Sequence, residues 1–103
     1  MLVTITSRHD EVAEALRERA EVLVLRLAKL AHRPSHAQVE FDLDHRRPTA
    51  EIRLHVARGV VHVATAEADD HRTALDRAAA KLRRQLDKKP AARQRRAGPR
   101  KEE

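Results

Sequence analysis

Cysteine is absent from the 103 residues of the chain. That excludes disulfides, thiolate chemistry and cysteine-based zinc sites, and it suits the reducing cytoplasm that is the expected compartment. Aromatic side chains are nearly absent as well. Phe41 stands alone, without Trp or Tyr, so a core must be built from Leu, Val, Ile and Ala. No apolar run reaches the ~18 residues a membrane span requires. The opening MLVTITSRHD lacks the basic and apolar regions of a signal peptide, and no membrane partner is expected. Serine occurs only at Ser7 and Ser35, a cap and a loop residue in this reading. The acids Glu40, Asp42, Asp44 and Glu51 fall on one strand face and form no pocket in so small a domain. No catalysis, cofactor or small-molecule substrate is therefore expected.

What is present is charge, unevenly placed. The formal net charge is +6. Residues 1–69 carry 10 Lys/Arg and 11 Asp/Glu, whereas residues 70–103 carry 12 and 5. The entire excess lies in the last third, which points to an acidic partner, nucleic acid first among them.

The length fits one small domain. Met1, Val3 and Ile5 alternate with Leu2, Thr4 and Thr6 as in a short strand. Ser7-x-x-Asp10 fits a capping box, predicting a helix from about Arg8 or His9 to Ala31 with Val12, Leu16, Ala20, Leu23, Leu27 and Leu30 on its buried stripe. Arg19, Arg26, Lys29 and Arg33 follow one flank. Arg33-Pro34-Ser35 breaks the helix. A second strand alternates Ala37, Val39, Phe41 and Leu43 with Gln38, Glu40, Asp42 and Asp44, and His45 to Pro48 reads as a turn. A third alternates Ala50, Ile52, Leu54 and Val56 with Thr49, Glu51, Arg53 and His55. Arg58-Gly59 makes a tight turn. Pairing Ala57 with Val60 would then set 56 opposite 61, 54 opposite 63 and 52 opposite 65, placing Val61, Val63 and Thr65 on the apolar face. Asp69 and Asp70 start the second helix and Pro90 stops it. The remainder, AARQRRAGPRKEE, predicts a disordered tail.

The order β-α-β-β-β-α is an α+β pattern. Its simplest packing is two layers: a four-stranded mixed sheet with two helices side by side on one face, residues 1–89, followed by the basic tail 90–103. In the second helix Leu75, Ala78, Ala79, Leu82 and Leu86 form the buried stripe. Arg77, Lys81, Arg84 and Lys88 form a second stripe opposite it. Like charges one turn apart repel by about 0.2–0.5 kcal/mol per pair, so a bound polyanion is the natural reason for such a row. Arg26, Lys29 and Arg33 extend that row into a patch if their flank faces the second helix.

The sequence also resembles a family, the short ribosome hibernation-promoting factors or ribosome-associated inhibitors, also termed sigma-54-modulation or S30EA-like proteins. Four stretches carry the resemblance: Ile5-Thr6-Ser7; Glu14-Ala15-Leu16-Arg17-Glu18; the strands Ala50 to Val56 and Val61 to Ala64; and Ala74-Leu75-Asp76 followed by Lys81-Leu82-Arg83-Arg84-Gln85-Leu86. The resemblance implies the fold just argued. It implies a translation inhibitor that binds the 16S rRNA of the small ribosomal subunit, in the channel of tRNA and mRNA, as part of a stress response. It carries over the positions Arg26, Arg33, Lys81, Arg84 and Lys88. Arg77 joins them from helix geometry, and Lys29 and Lys89 from their neighbourhood. The chain departs from the family at Ser7, at Arg72 in place of an aromatic, at Leu30-Ala31-His32 and at Leu23, which stands for a frequent lysine. The second dimerising domain of longer members has no counterpart here, so a monomer is expected off the ribosome. A general binder of double-stranded or structured RNA is the alternative reading. In the register above His55 and His62 sit opposite each other near Glu51, a zinc-like grouping. The family's strand pattern accounts for these histidines as a solvated pair, so no metal ligand is assigned.

Overall fold

The computed structural model describes residues 1–8 and 11–92, with side chains as far as Asp87. The elements are β1 (Leu2–Ser7), α1 (Glu14–Ala28), β2 (His36–Asp44), β3 (Arg47–His55), β4 (Val61–Glu67) and α2 (His71–Ala92). The sheet order is β1-β2-β3-β4, with β1 parallel to β2 and the other pairs antiparallel. One apolar cluster joins the inner sheet face to both helices: Val39, Phe41, Ile52 and Leu54 from the strands, Val24 and Leu27 from α1, and Leu75, Leu82 and Leu86 from α2. The expected two-layer α+β architecture is the one observed.

Three local expectations are corrected. Ser7 does not cap α1, because it is the last residue of β1 and pairs with Phe41, and the N–H of Arg8 still donates to the Phe41 carbonyl. The strand uses the backbone that a cap would need. α1 starts at Glu14, behind Ala13, which makes no side-chain cap bond. It also ends early, at Ala28, where the N–H groups of Lys29, Leu30 and Ala31 each reach back only three residues. That tightening is common at helix ends. At its other boundary, α2 continues two residues past Pro90 to Ala92. A proline in the last turn withdraws one donor and weakens the end without fixing it. The tail expectation for 93–103 lies outside the described residues.

The hairpins hold the largest correction. His45 and Arg46 alone form the β2–β3 turn, both at positive φ (51° and 70°), so Arg47 and Pro48 belong to β3. Two consecutive left-handed residues match the twist of a two-residue hairpin. Between β3 and β4, Arg58 (φ 67°) and Gly59 (φ 73°) are both left-handed, and Val56 rather than Ala57 closes the loop, donating its N–H to the Val60 carbonyl at 2.9 Å. The loop is one residue longer than a two-residue turn. The register therefore shifts by one, and every side chain of β4 changes face. Ile52 opposes Ala64 and Leu54 opposes His62. Val61 and Val63 lie on the outer face, each 40% exposed, while Ala64, Ala66 and Ala68 are buried under α2. Small residues there let the helix lie close to the strand.

Candidate nucleic-acid interface

The basic residues of α2 divide between two duties. On the side towards β4, Arg77 Nη1 donates to the Glu67 carbonyl (3.1 Å), Lys81 Nζ to the Thr65 carbonyl (2.8 Å) and Gln85 Nε2 to the Val63 carbonyl (2.8 Å). Residues four apart on a helix thus meet carbonyls two apart on a strand, since about 6 Å of helix rise nearly equals about 6.8 Å of strand. β4 is an edge strand, and this ladder closes its free carbonyls. The row thus has a reason within the fold, which helical periodicity alone does not reveal. The carbonyls are neutral, so Arg77 and Lys81 keep their full charge at the surface.

The side of α2 towards α1 is different. Asp76 accepts two bonds from Arg19, Nε at 2.8 Å and Nη2 at 3.1 Å, which holds the guanidinium above its ordinary pKa. Beyond that pair the helices part over an open groove of about 390 Å³. Its lining includes Leu23, Leu27, Leu30, Ala79 and Ala80, with Arg26 and Arg83 on opposite sides. The flank of α1 bearing Arg19 and Arg26 does face α2, as the patch requires. It meets Arg83, however, and not Arg77 or Lys81, which lie across the width of α2. Arg84 sits on the exposed crest and connects the two sides.

The other candidates fall as follows. Lys29 is exposed just past the end of α1. Arg33 is exposed in the link to β2, in a left-handed conformation (φ 53°) before Pro34. Arg26, Lys29, Arg33 and Arg84 have no hydrogen-bond or ion-pair partner among the described residues. Lys88 lies in the last part of α2 together with Lys89; their side chains are outside the description. Arg83, which the sequence reading did not include, borders the groove and among the described residues has only a 3.7 Å pair with Asp87. Its spacing from Asp76, seven residues, placed it on the Asp76 side, but no sequence signal showed that this side faces α1.

The outer sheet face has the opposite character. Across the four strands the rows read Leu2, His36, His55, Val61; then Thr4, Gln38, Arg53, Val63; then Thr6, Glu40, Glu51, Thr65. Glu40 and Glu51 are directly opposed, and each is answered by an arginine, Arg8 at 2.8 Å and Arg53 at 2.7 Å. Carboxylates dominate this end, which disfavours a polyanion. His62 points inward, so the expected His55–His62 pair does not exist. His55 stacks instead on His36, ring centroids 3.8 Å apart, and its Nε2 lies 3.1 Å from the Gln38 amide oxygen. Partial desolvation, then the neighbouring His36 and Arg53, hold the His55 imidazole below its ordinary pKa. Among the described residues no group of three or more His, Asp or Glu is placed to hold a metal ion.

Comparison with known proteins agrees with this architecture. A ribosome hibernation promoting factor from Azotobacter vinelandii is 36% identical over 88 residues, 85% of this chain and 81% of that protein. The N-terminal domain of Protein Y from Thermus thermophilus superposes with a TM-score of 0.72 at 26% identity, covering 85% of this chain and 98% of that one. A ribosomal subunit interface protein from Coxiella burnetii gives a TM-score of 0.74 at 24% identity, over 88% of this chain and 99% of the other, and supports the fold. The profile of the family described as sigma 54 modulation protein / S30EA ribosomal protein matches residues 3–94. On that match, and on the fold and relatives that accompany it, the chain belongs to the sigma 54 modulation protein / S30EA ribosomal protein family.

Proposed function

We propose that this protein is a ribosome hibernation factor that binds 16S rRNA in the tRNA and mRNA channel of the small subunit and so blocks translation. The contact surface is the outer side of the helical layer. The observation that carries this reading is the separation of charge between the two faces. On the helical side Arg26, Lys29, Arg33 and Arg84 are exposed without a partner among the described residues. On the outer sheet face the arginines Arg8 and Arg53 are taken up by Glu40 and Glu51. Among the described residues of these two faces, the unneutralised cations that a polyanion would meet stand on the helical side.

The contacts are to phosphates. Rows of Lys and Arg position a protein on a nucleic-acid backbone and carry little base information. A structured rRNA groove is read by its shape and its backbone. Arg26 and Arg83 face each other across the groove, Arg84 tops the crest, and Arg77 and Lys81 continue the charge to the β4 edge. Lys88 and Lys89 extend the same helix.

The test is cosedimentation with 30S and 70S particles in sucrose at rising salt, with tRNA and mRNA as competitors. Binding to both particles, lost on competition, is the expected result. A protein that stays at the top of the gradient at low salt yet shifts duplex RNA would be a general RNA-binding module, and the ribosomal reading would fail. The variant of choice is Arg26→Glu with Arg84→Glu, since neither side chain braces the fold. It should lose ribosome binding and inhibition of translation in vitro while melting as the parent does.

A further inference from the structure

The two edges of the sheet are treated differently. β4 is closed by Arg77, Lys81 and Gln85. Among the described residues β1 has no such cover. Leu2 donates its N–H to the Ser35 carbonyl and Arg8 to that of Phe41, so the even-numbered residues of this parallel pair bond towards β2. Val3, Ile5 and Ser7 turn their main-chain groups outward. Among the described residues only Arg17 reaches them, with Nη1 donating to the Ile5 carbonyl at 3.4 Å. The strand reads LVTITS, six uncharged residues without proline. Charges, prolines and bulges are the usual protections of an edge, and a short uncharged β-branched segment is what pairs when they are missing. Apolar surface gathers on the same side. Leu2 is 67% exposed, Leu25 is 46% exposed, and Val3 and Ile5 are only half-buried.

We propose that β1 is a self-association edge, through which two copies of this chain pair antiparallel about a two-fold axis at Thr4 and join their sheets into one of eight strands. The register is self-complementary. Centring on Thr4 sets Val3 of one copy against Ile5 of the other, twice. These are the residues whose N–H and C=O point outward, so each pair exchanges two main-chain bonds. Parity keeps Val3 and Ile5 of both copies on the helical side, where each completes the other's burial.

The helices fit the same axis. α1 covers the β1 side of the sheet, as Arg17 reaching Ile5 shows. With strands about 4.8 Å apart, an axis between two β1 strands brings the two α1 helices to roughly 10 Å, an ordinary packing distance. The flank that would meet carries Arg17, Glu21 and Leu25, opposite the flank holding Arg19 and Leu23. Arg17 stands over Ile5 and Glu21 one turn further towards Val3. Antiparallel helices therefore set Arg17 of one copy against Glu21 of the other, in both directions. Arg17 is released for this role, because the Ile5 carbonyl then accepts from Val3 of the second copy. Arg26, Lys29 and Arg84 stay outside the contact. One short edge and one helix flank fall below the ~1,200 Å² of a standard interface, so the association is of the weak, transient kind.

Since the chain has no cysteine, a single engineered thiol reports the geometry cleanly. Thr4 would face its own copy as a non-hydrogen-bonded pair with Cα atoms about 4.5 Å apart, within disulfide reach. Thr6 would lie about 14 Å from its copy. Under mild oxidation at high protein concentration, Thr4→Cys should form a covalent dimer and Thr6→Cys should not. In sedimentation equilibrium Glu21→Arg should weaken the association, and Arg17→Glu with Glu21→Arg should restore it. Equal cross-linking at both positions, a monomer at every concentration, or a charge swap that fails to restore pairing would each overturn the proposal.

Discussion

Arg77 and Lys81 show how one side chain can serve fold and function at once, and how that complicates mutation. Reversing either charge removes a cation from the proposed RNA face and also opens the β4 edge. Arg84 and Arg26 carry no such second duty. The double variant Arg26→Glu with Arg84→Glu should therefore stay within about 0.5 kcal/mol of the parent in chemical denaturation, as surface substitutions usually do. Arg77→Glu with Lys81→Glu should be measurably less stable. Equal stability of the two variants would remove the structural duty assigned to the ladder. At the helix interface, Arg19 and Asp76 form a bidentate pair, each side chain more than a third exposed. A double-mutant cycle on them should give a coupling of about 0.5–1 kcal/mol, the upper part of the range for solvent-screened pairs.

The stacked His36–His55 pair gives a pH dependence whose sign can be worked out. His55 titrates below its ordinary value in the folded chain, so the unfolded chain binds the proton more readily. Stability is then fully present above the unfolded pKa of about 6.5 and declines as pH falls towards the folded value. Denaturation midpoints measured from pH 7.5 down to 5 should fall for the parent and fall less for His55→Gln. Asp70 acts at lower pH. Its carboxylate accepts the Thr73 N–H at 2.7 Å at the start of α2, which holds it below the usual carboxylate range. That contribution is present above about pH 3.8 and is lost on further acidification.

At the scale of elements the decisive quantity is the register of β4. The observed pairing places Val63 outside and Ala64 inside, opposite Ile52 and beneath α2. Val63→Thr should then change stability by no more than about 0.5 kcal/mol. Ala64→Leu should cost about 1–3 kcal/mol through overpacking. Had the two-residue turn held, the two results would be exchanged. The alternation of Val61, Val63 and Thr65 with His62, Ala64 and Ala66 is legible in the sequence, but its sense is not. Valine is the more apolar residue, and alternation by itself favours burying it. Alanine is buried because α2 approaches β4 closely enough for its side chains to reach the strand's carbonyls, which leaves little depth between them. The helices themselves were easier to read. The stripe Leu75, Ala78, Ala79, Leu82, Leu86 is buried as its spacing requires. In α1 Ala20 and Leu27 of the expected stripe are buried and Val12, Leu16 and Leu23 pack against the core; Val24 and Ala28 join them, whereas Leu30 is 46% exposed at the groove. Helix spacing shows that a stripe exists and leaves its centre uncertain by a residue where leucines and valines crowd together.

For the whole molecule, binding through phosphates implies a steep dependence on salt. If about 5–8 phosphates are neutralised, the logarithm of the association constant should fall against that of salt with a slope of roughly −4 to −7. Each contact removed, as by Arg84→Gln, should make the slope shallower by somewhat less than one. A slope near zero would place the ribosomal contact outside the helical face. The surplus of positive charge in the last third, which first pointed to nucleic acid, is a property of composition and survives any arrangement of the chain.

The sequence by itself determined the elements, their order and the two-layer architecture, because amphipathic periods of two and of 3.6 are local and a single apolar face on each element leaves few ways to bury them all. It also determined the family, through short runs on matching elements. Tertiary structure alone decided which side of α2 meets α1, which face of β4 is buried, and what the row of cations touches. Each of these depends on a contact between residues far apart in the chain. Arg77 and Lys81 meet carbonyls ten and sixteen positions away, Arg19 meets Asp76 across 57, and a loop longer by one residue exchanges the two faces of a strand without altering its pattern.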